Sequence, residues 1–199
     1  MAGKHFSMIR NFHLADLFTI ANGFCGVAAV FQAMGFLGTE ARWRMYGAAL
    51  LVVLAGGFDL LDGRIARWRH DASPMGRELD SLADVISFGV APAAIAFAAG
   101  LQSALDQIVL MYFVGCGLSR LARYNITAEA LSAETGKVRY FEGTPIPTSI
   151  VPLGLLILAF HQRTLYPIGL AGFELHLVSL LFLVSGTLMI SKTLRIPKP

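Results

Sequence analysis

Residues 59–84 read DLLDGRIARWRHDASPMGRELDSLAD. MYGAALLVVLAGGF (45–58) precedes them and VISFGVAPAAIAFAAG (85–100) follows. Both flanks are apolar enough to lie in hydrocarbon, yet the segment between them is rich in aspartate and arginine. Charges near membrane depth are costly and persist where they face a bundle interior, a cavity or a partner. The stretch therefore reads as the polar end of a helical hairpin whose arms are buried in a bilayer.

The rest of the chain supports a membrane setting. Of its 199 residues, 55% are hydrophobic and 15% charged, against about 25% charged in ordinary soluble domains. Mean hydropathy is +0.62. One span needs about 20 apolar residues, so the length accommodates six. The expected fold is an all-α integral membrane bundle of six transmembrane helices, at about 14–36, 45–68, 79–100, 105–126, 146–163 and 173–192, forming one membrane domain over residues 1–199. Lys4, Phe6, Met8, Ile9, Arg10 and Phe12 suit a short N-terminal interfacial helix. Lys4 and Arg10 before an apolar run resemble a signal peptide, but Asp16, Thr19 and Asn22 inside that run argue for a retained helix. Cys25 and Cys116 lie in apolar stretches without disulfide or metal-ligand spacing.

Charge placement gives an orientation. Lys4, Arg10, Arg64, Arg67, Arg69, Arg77, Arg120, Arg123, Lys137, Arg139, Lys192, Arg195 and Lys198 fall on one side of such a bundle, and Arg42, Arg44 and Arg163 on the other. The positive-inside rule puts both termini and the 59–84 segment in the cytoplasm. Trp43 and Tyr46 on the outer side suit an interfacial aromatic belt.

Helical spacing organises the aspartates. Positions three, four and seven apart share a face. Asp59, Asp62, Gly63 and Ala66 form one stripe on the second helix; Gly76, Asp80, Asp84, Ser87 and Ala91 form another on the third. The connection is short, so the helices are antiparallel neighbours and the stripes can face each other. Facing carboxylates repel unless a cation lies between them, and oxygen ligands suit hard divalent ions such as Mg²⁺, Mn²⁺ or Ca²⁺. Four aspartates can hold two metals, an arrangement suited to in-line phosphoryl displacement. The nearby Arg64, Arg67, Arg69 and Arg77 suit bidentate phosphate binding. Together these features favour phosphoryl-type transfer on a pyrophosphate-bearing substrate. An ion or proton pathway and a structural salt-bridge network remain the alternatives. A divalent-cation transporter would need polar residues continuing to the outer leaflet, and helices five and six are nearly uncharged.

At these residues the sequence resembles the CDP-alcohol phosphotransferase family, whose pattern is Asp-Gly-x2-Ala-Arg-x8-Gly-x3-Asp-x3-Asp. Here it reads Asp62-Gly63, Ala66-Arg67, Gly76, Asp80 and Asp84, with Asp59 three residues upstream. The resemblance implies a homodimer with two divalent cations, Mg²⁺ or Mn²⁺, held by Asp59, Asp62, Asp80 and Asp84. It implies catalytic roles for Asp80 and Asp84, with Asp84 as general base. Gly63, Ala66 and Gly76 would line the nucleotide pocket, Arg67 would bind the donor pyrophosphate, and Thr19 and Asn22 would lie near the cytidine. Helix–helix hydrogen bonds are the competing role for Thr19 and Asn22. Ala15-Asp16 stands where members often have Pro-Asn, which leaves Asp16 without an assigned role.

LDSLADVISFGVAPA (79–93), RLARYN (120–125) and FEGTPIPTS (141–149) look like the serine-using branch of that family. This implies transfer of a phosphatidyl group from CDP-diacylglycerol, or an archaeal CDP-lipid, to L-serine with release of CMP. Inositol, an inositol phosphate, glycerol 3-phosphate and choline are the alternative acceptors. Serine's carboxylate needs a cationic partner, which Arg120 or Arg123 can supply; Asn125 is a further acceptor-binding candidate. No nucleic-acid partner is expected.

Overall fold

The computed structural model describes residues 14–69, 74–134, 140–170, 173–193 and 195–197. The proposed interfacial helix, His70, Lys137 and Arg139 lie outside these residues. Among the described residues, four helical spans are long and apolar enough to cross a membrane: Asp16–Thr39, Arg42–Ile65, Met75–Ala99 and Ala104–Ile126. Ile146–Gln162 and Ser179–Ile190 are apolar but shorter.

The first hairpin is α1 (Leu14–Thr39) and α2 (Arg42–Arg69). The chain reverses at Glu40, whose φ of 53° is left-handed. After Pro74, a residue suited to a first helical turn, α3 (Pro74–Asp84) runs into a π turn (Val85–Val90) and then α4 (Ala91–Ala99). The sequence supplies a reason for the π turn. Pro92 has no N–H for the Phe88 carbonyl, and its ring crowds that carbonyl in a regular helix. The coil widens just upstream, and Ala91 N–H donates to the Ile86 carbonyl, a five-residue step. Gly100, at φ 124°, then ends α4, with Leu101 N–H returning to the Ala96 carbonyl at 3.1 Å.

The next helix, α5 (Ala104–Glu134), opens on a capping box. Asp106 N–H donates to Ser103 Oγ (3.1 Å) and Ser103 N–H donates to Asp106 Oδ2 (3.3 Å). Asp106 also accepts from His176 N–H (3.0 Å), and His176 Nδ1 lies 2.7 Å from Oδ2. These bonds fasten the hairpin of β2 (Pro167–Leu170) and β3 (Phe173–His176) to the start of α5. Neither the pair nor the hairpin was legible as a sequence pattern: residues 173–176 were assigned to the sixth span, whose helix, α7, covers only Ser179–Ile190. The expected fifth span opens as a 3₁₀ turn (Ile146–Ser149) before α6 (Ile150–Gln162). The remaining strands, β1 (Tyr140–Glu142) and β4 (Arg195–Pro197), pair antiparallel.

The core runs along the bundle through Ala29, Ala33, Met45, Val52, Phe88, Ile95, Phe113, Leu153 and Phe182. Outward faces carry apolar residues such as Phe24, Phe31, Leu50, Met111 and Val151, as a lipid-facing surface requires. At the end of the bundle away from the aspartates, Arg42 ties α2 to the end of α6. Its guanidinium donates to the Phe160 and His161 carbonyls (2.9 and 3.2 Å) and lies over the Phe160 ring. Tyr46 Oη lies 2.9 Å from His161 Nδ1. A cation on the last carbonyls of α6 also complements its helix dipole. Arg42→Ala is expected to cost about 1–3 kcal/mol, read as a lower unfolding temperature of the detergent-solubilised protein. An unchanged transition would show that this cap is idle.

Candidate functional site

Near its C-terminal end, α2 carries Asp59 and Asp62 one turn apart. In the N-terminal half of the continuous helical stretch from Pro74 to Ala99, Asp80 and Asp84, the last residue of α3, stand one turn apart. The antiparallel arrangement brings these ends together as the stripe spacing required. One carboxylate oxygen from each of Asp59, Asp62 and Asp80 lies within 4.8 Å of the others. Asp84 adjoins this trio and is buried, as is Asp62. Gly76 falls within α3, so helical structure starts early enough to include the full stripe. Among the described residues, and apart from its own helix turn, no atom lies within 4 Å of the space a Cβ would fill at Gly63.

The third wall is α1. Thr19 Oγ1 donates to Asp62 Oδ2 (3.0 Å), and Asn22 Nδ2 donates to Asp84 Oδ1 (3.1 Å). Both α1 residues are buried, Asn22 completely. The two roles considered for them converge here, since the helix–helix bonds end on the aspartates themselves. Asp16 is buried one turn before Thr19. The polar 16-19-22 spacing on α1 is the sequence signal that places Asp16 on this face.

Close approach of α1 and α3 depends on small residues. Gly23 faces Ala83, and Gly26 faces Ser87. Ser87 Oγ donates to the Asn22 carbonyl at 2.8 Å. A Cβ at Gly26 would stand 2.5 Å from Ser87 Oγ and 2.8 Å from its Cα.

The carboxylate cluster is strongly uncompensated. Asp80 Oδ1 is buried without a hydrogen-bond partner. Among the described residues outside 66–69, no Lys or Arg forms an ion pair with any of the four aspartates. Buried charges without partners are strongly unfavourable, and hard-cation binding resolves the problem. The donor set, all carboxylate oxygen on two helices, fits a divalent ion. Arg67 falls within α2; Ala66 does too, directly before it.

The acceptor candidates separate. Arg123 Nη1 donates to the Ile190 carbonyl (3.3 Å), capping the end of α7. Thr144 N–H bonds the Leu188 carbonyl at 3.2 Å on the same helix end. Gly143, at φ 74°, lies so close to the Met189 carbonyl that a side chain is excluded. Arg123 and the Gly143–Thr144 turn thus meet the same end of α7. Asn125 is occupied on α3, with Nδ2 donating to Ser81 Oγ (3.0 Å) and lying 3.4 Å from Glu78. Arg120 differs from both. It is 7% exposed, no hydrogen bond ties it to a helix end as Arg123 Nη1 is tied, its Nε has no hydrogen-bond partner among the described residues, and its charge lies within electrostatic range of Asp84.

Comparison with known proteins agrees with this geometry. Residues 12–189 match the CDP-alcohol phosphatidyltransferase family. The chain is 45% identical over 204 residues to a CDP-diacylglycerol–serine O-phosphatidyltransferase of Saccharomyces cerevisiae, a match covering 98% of this chain and 74% of that protein. It is 33% identical over 171 residues to the Bacillus subtilis protein of the same name, covering 84% of this chain and 87% of the relative. It is also 33% identical over 175 residues to an archaetidylserine synthase of Methanothermobacter thermautotrophicus, covering 86% and 67%. With the family match spanning nearly the whole chain and the aspartates gathered where its motif requires, this chain belongs to the CDP-alcohol phosphatidyltransferase family.

Proposed function

We propose that the protein transfers a phosphatidyl group from CDP-diacylglycerol, or an equivalent CDP-lipid, to L-serine, releasing CMP. The observation that carries the reaction class is the facing Asp59–Asp62 and Asp80–Asp84 pairs. The serine acceptor is supported by the names of the relatives and by the buried, unpartnered Arg120 Nε near Asp84. Asp59, Asp62, Asp80 and Asp84 would hold two divalent cations, Mg²⁺ or Mn²⁺. When bound, these would supply charge neutralisation at the pyrophosphate and polarisation of its phosphorus.

The chain's own residues complete the chemistry. Arg67 binds the donor phosphates, and Gly63, Ala66 and Gly76 leave room for the nucleotide against the helix backbones. Thr19 and Asn22 hold Asp62 and Asp84 in place on the cytidine side. Arg120 takes the serine carboxylate and turns the hydroxyl toward Asp84. Asp84 removes the hydroxyl proton as the oxygen attacks the lipid-bearing phosphorus. The new P–O ester forms as the anhydride P–O bond breaks, and CMP leaves with that electron pair. Donor and product both keep their acyl chains in the bilayer, so the site must open at membrane depth.

The basic-residue distribution supports a cytoplasmic site. Six spans follow if the two shorter helices, α6 and α7, also cross. The homodimer rests on the family resemblance.

The deciding measurement is CMP release by purified protein given CDP-diacylglycerol, Mg²⁺ or Mn²⁺, and each alcohol in turn. Serine is expected to support turnover. Release only with glycerol 3-phosphate or an inositol phosphate would overturn the acceptor, and absence of CMP release with every alcohol would overturn the enzyme. Arg120→Ala is expected to raise KM for serine on the order of 10²-fold, the scale for removing one member of a buried charge pair. It should also narrow the preference for serine over ethanolamine, which lacks the carboxylate. Unchanged selectivity would remove Arg120 from the acceptor pocket.

A further inference from the structure

The π turn directly after Asp84 is joined to α1 through one residue. Asn22 uses its side-chain amide to hold Asp84 Oδ1 and its backbone carbonyl to receive Ser87 Oγ. Both ends of the Asp84–Ser87 segment are thereby fixed to the same point on α1. Ser87 and Asn22 are fully buried. The approach is possible only because residue 26 has no Cβ, which would otherwise meet Ser87 Oγ, Cα and N at 2.5, 2.8 and 2.9 Å. Two of those atoms are backbone or Cα, so a rotamer change cannot relieve the clash. An α-helix continued through this region would rotate Ser87 relative to Asp84. The wider turn forced by Pro92 sets the angle at which both reach Asn22.

We propose that Ser87 and Gly26 are positioning residues for Asp84, using the π turn to fix its carboxylate against the Asp59–Asp62–Asp80 cluster. This rests on the reading of those aspartates as a divalent-metal site, and it adds a residue pair that touches neither substrate nor metal. Catalytic groups displaced by about 1 Å can lose about 10²-fold in rate, so the consequence is kinetic before it is structural.

The test uses full-length protein purified in detergent as a monodisperse species. Mn²⁺ binding is followed by electron paramagnetic resonance, independently of turnover, and CMP release is then measured with CDP-diacylglycerol and serine. Ser87→Ala is expected to weaken Mn²⁺ binding several-fold and lower kcat about tenfold, with KM for both substrates within about twofold. Ser87→Cys, which retains a weak donor, should recover part of both losses. Gly26→Ala should lower kcat by about 10²-fold or more; if it fails to fold, the two Ser87 variants decide. A folded Ser87→Ala protein with wild-type Mn²⁺ affinity and kcat would overturn the proposal, even with a lowered unfolding temperature. Wild-type protein that binds Mn²⁺ but releases no CMP would instead overturn the phosphatidyltransferase reading. In that case Mn²⁺ affinity of Ser87→Ala still decides the positioning role: weakened affinity upholds it and wild-type affinity overturns it.

Discussion

Asp84→Asn is expected to lower CMP release by about 10³-fold or more while leaving insertion and purification intact. The magnitude combines loss of a general base, worth about 10²–10⁴-fold, with loss of an anionic ligand. The geometry makes this substitution unusually clean. Asn22 Nδ2 donates to Asp84 Oδ1, and an asparagine carbonyl at 84 can accept the same bond. Asn22 Oδ1, buried without a partner, can in turn accept from the new amide. Shape and hydrogen bonding are retained, while charge and basicity are lost. Removing one buried carboxylate from a repelling cluster should also leave the metal-free protein at least as resistant to heat as wild type. Turnover within about tenfold of wild type would exclude Asp84 as the base. A sharp fall in metal-free stability would mean the cluster is held together by something other than a bound cation.

Metal removal should have an effect of similar size by a separate route. Chelation is expected to reduce CMP release to background, with recovery on adding Mg²⁺ or Mn²⁺. The same ions should raise the unfolding temperature, because a ligand that binds only the folded state stabilises it by about 2.7 kcal/mol at a hundredfold excess over Kd. Asp80→Asn should abolish that thermal shift. A chelated protein that keeps its turnover would refute the metal reading of Asp59, Asp62 and Asp80, whatever the behaviour of Asp84.

What could be read from the sequence follows from the range of the interactions involved. The aspartate stripes are local patterns on two consecutive helices, so helical periodicity alone brought Asp59, Asp62, Asp80 and Asp84 to one place. The four long spans were legible from apolar length. The β2–β3 hairpin was not, because residues 173–176 run directly into the apolar stretch of the expected sixth span, and the hairpin is fastened by Asp106, 70 residues from His176. The distinction between Arg120 and Arg123 was equally hidden. It depends on the end of α7 reaching Arg123, a contact 67 residues away in sequence. Ser87 was visible on the third-helix stripe, but its bond to the Asn22 carbonyl spans 65 residues. Pro92 was the one local clue to the π turn beside it.

The clamp from Arg42 to the end of α6 joins residues 118 positions apart. The aspartates and their α1 supports all precede residue 85, whereas Arg120 and the 143–149 segment come later. During synthesis, therefore, the half that carries the aspartates can assemble while α6 is still being made, and the clamp closes only after Arg120 and the 143–149 segment have been made. A nascent chain would acquire metal affinity before it acquires selectivity for an alcohol, leaving serine recognition as the last property to mature.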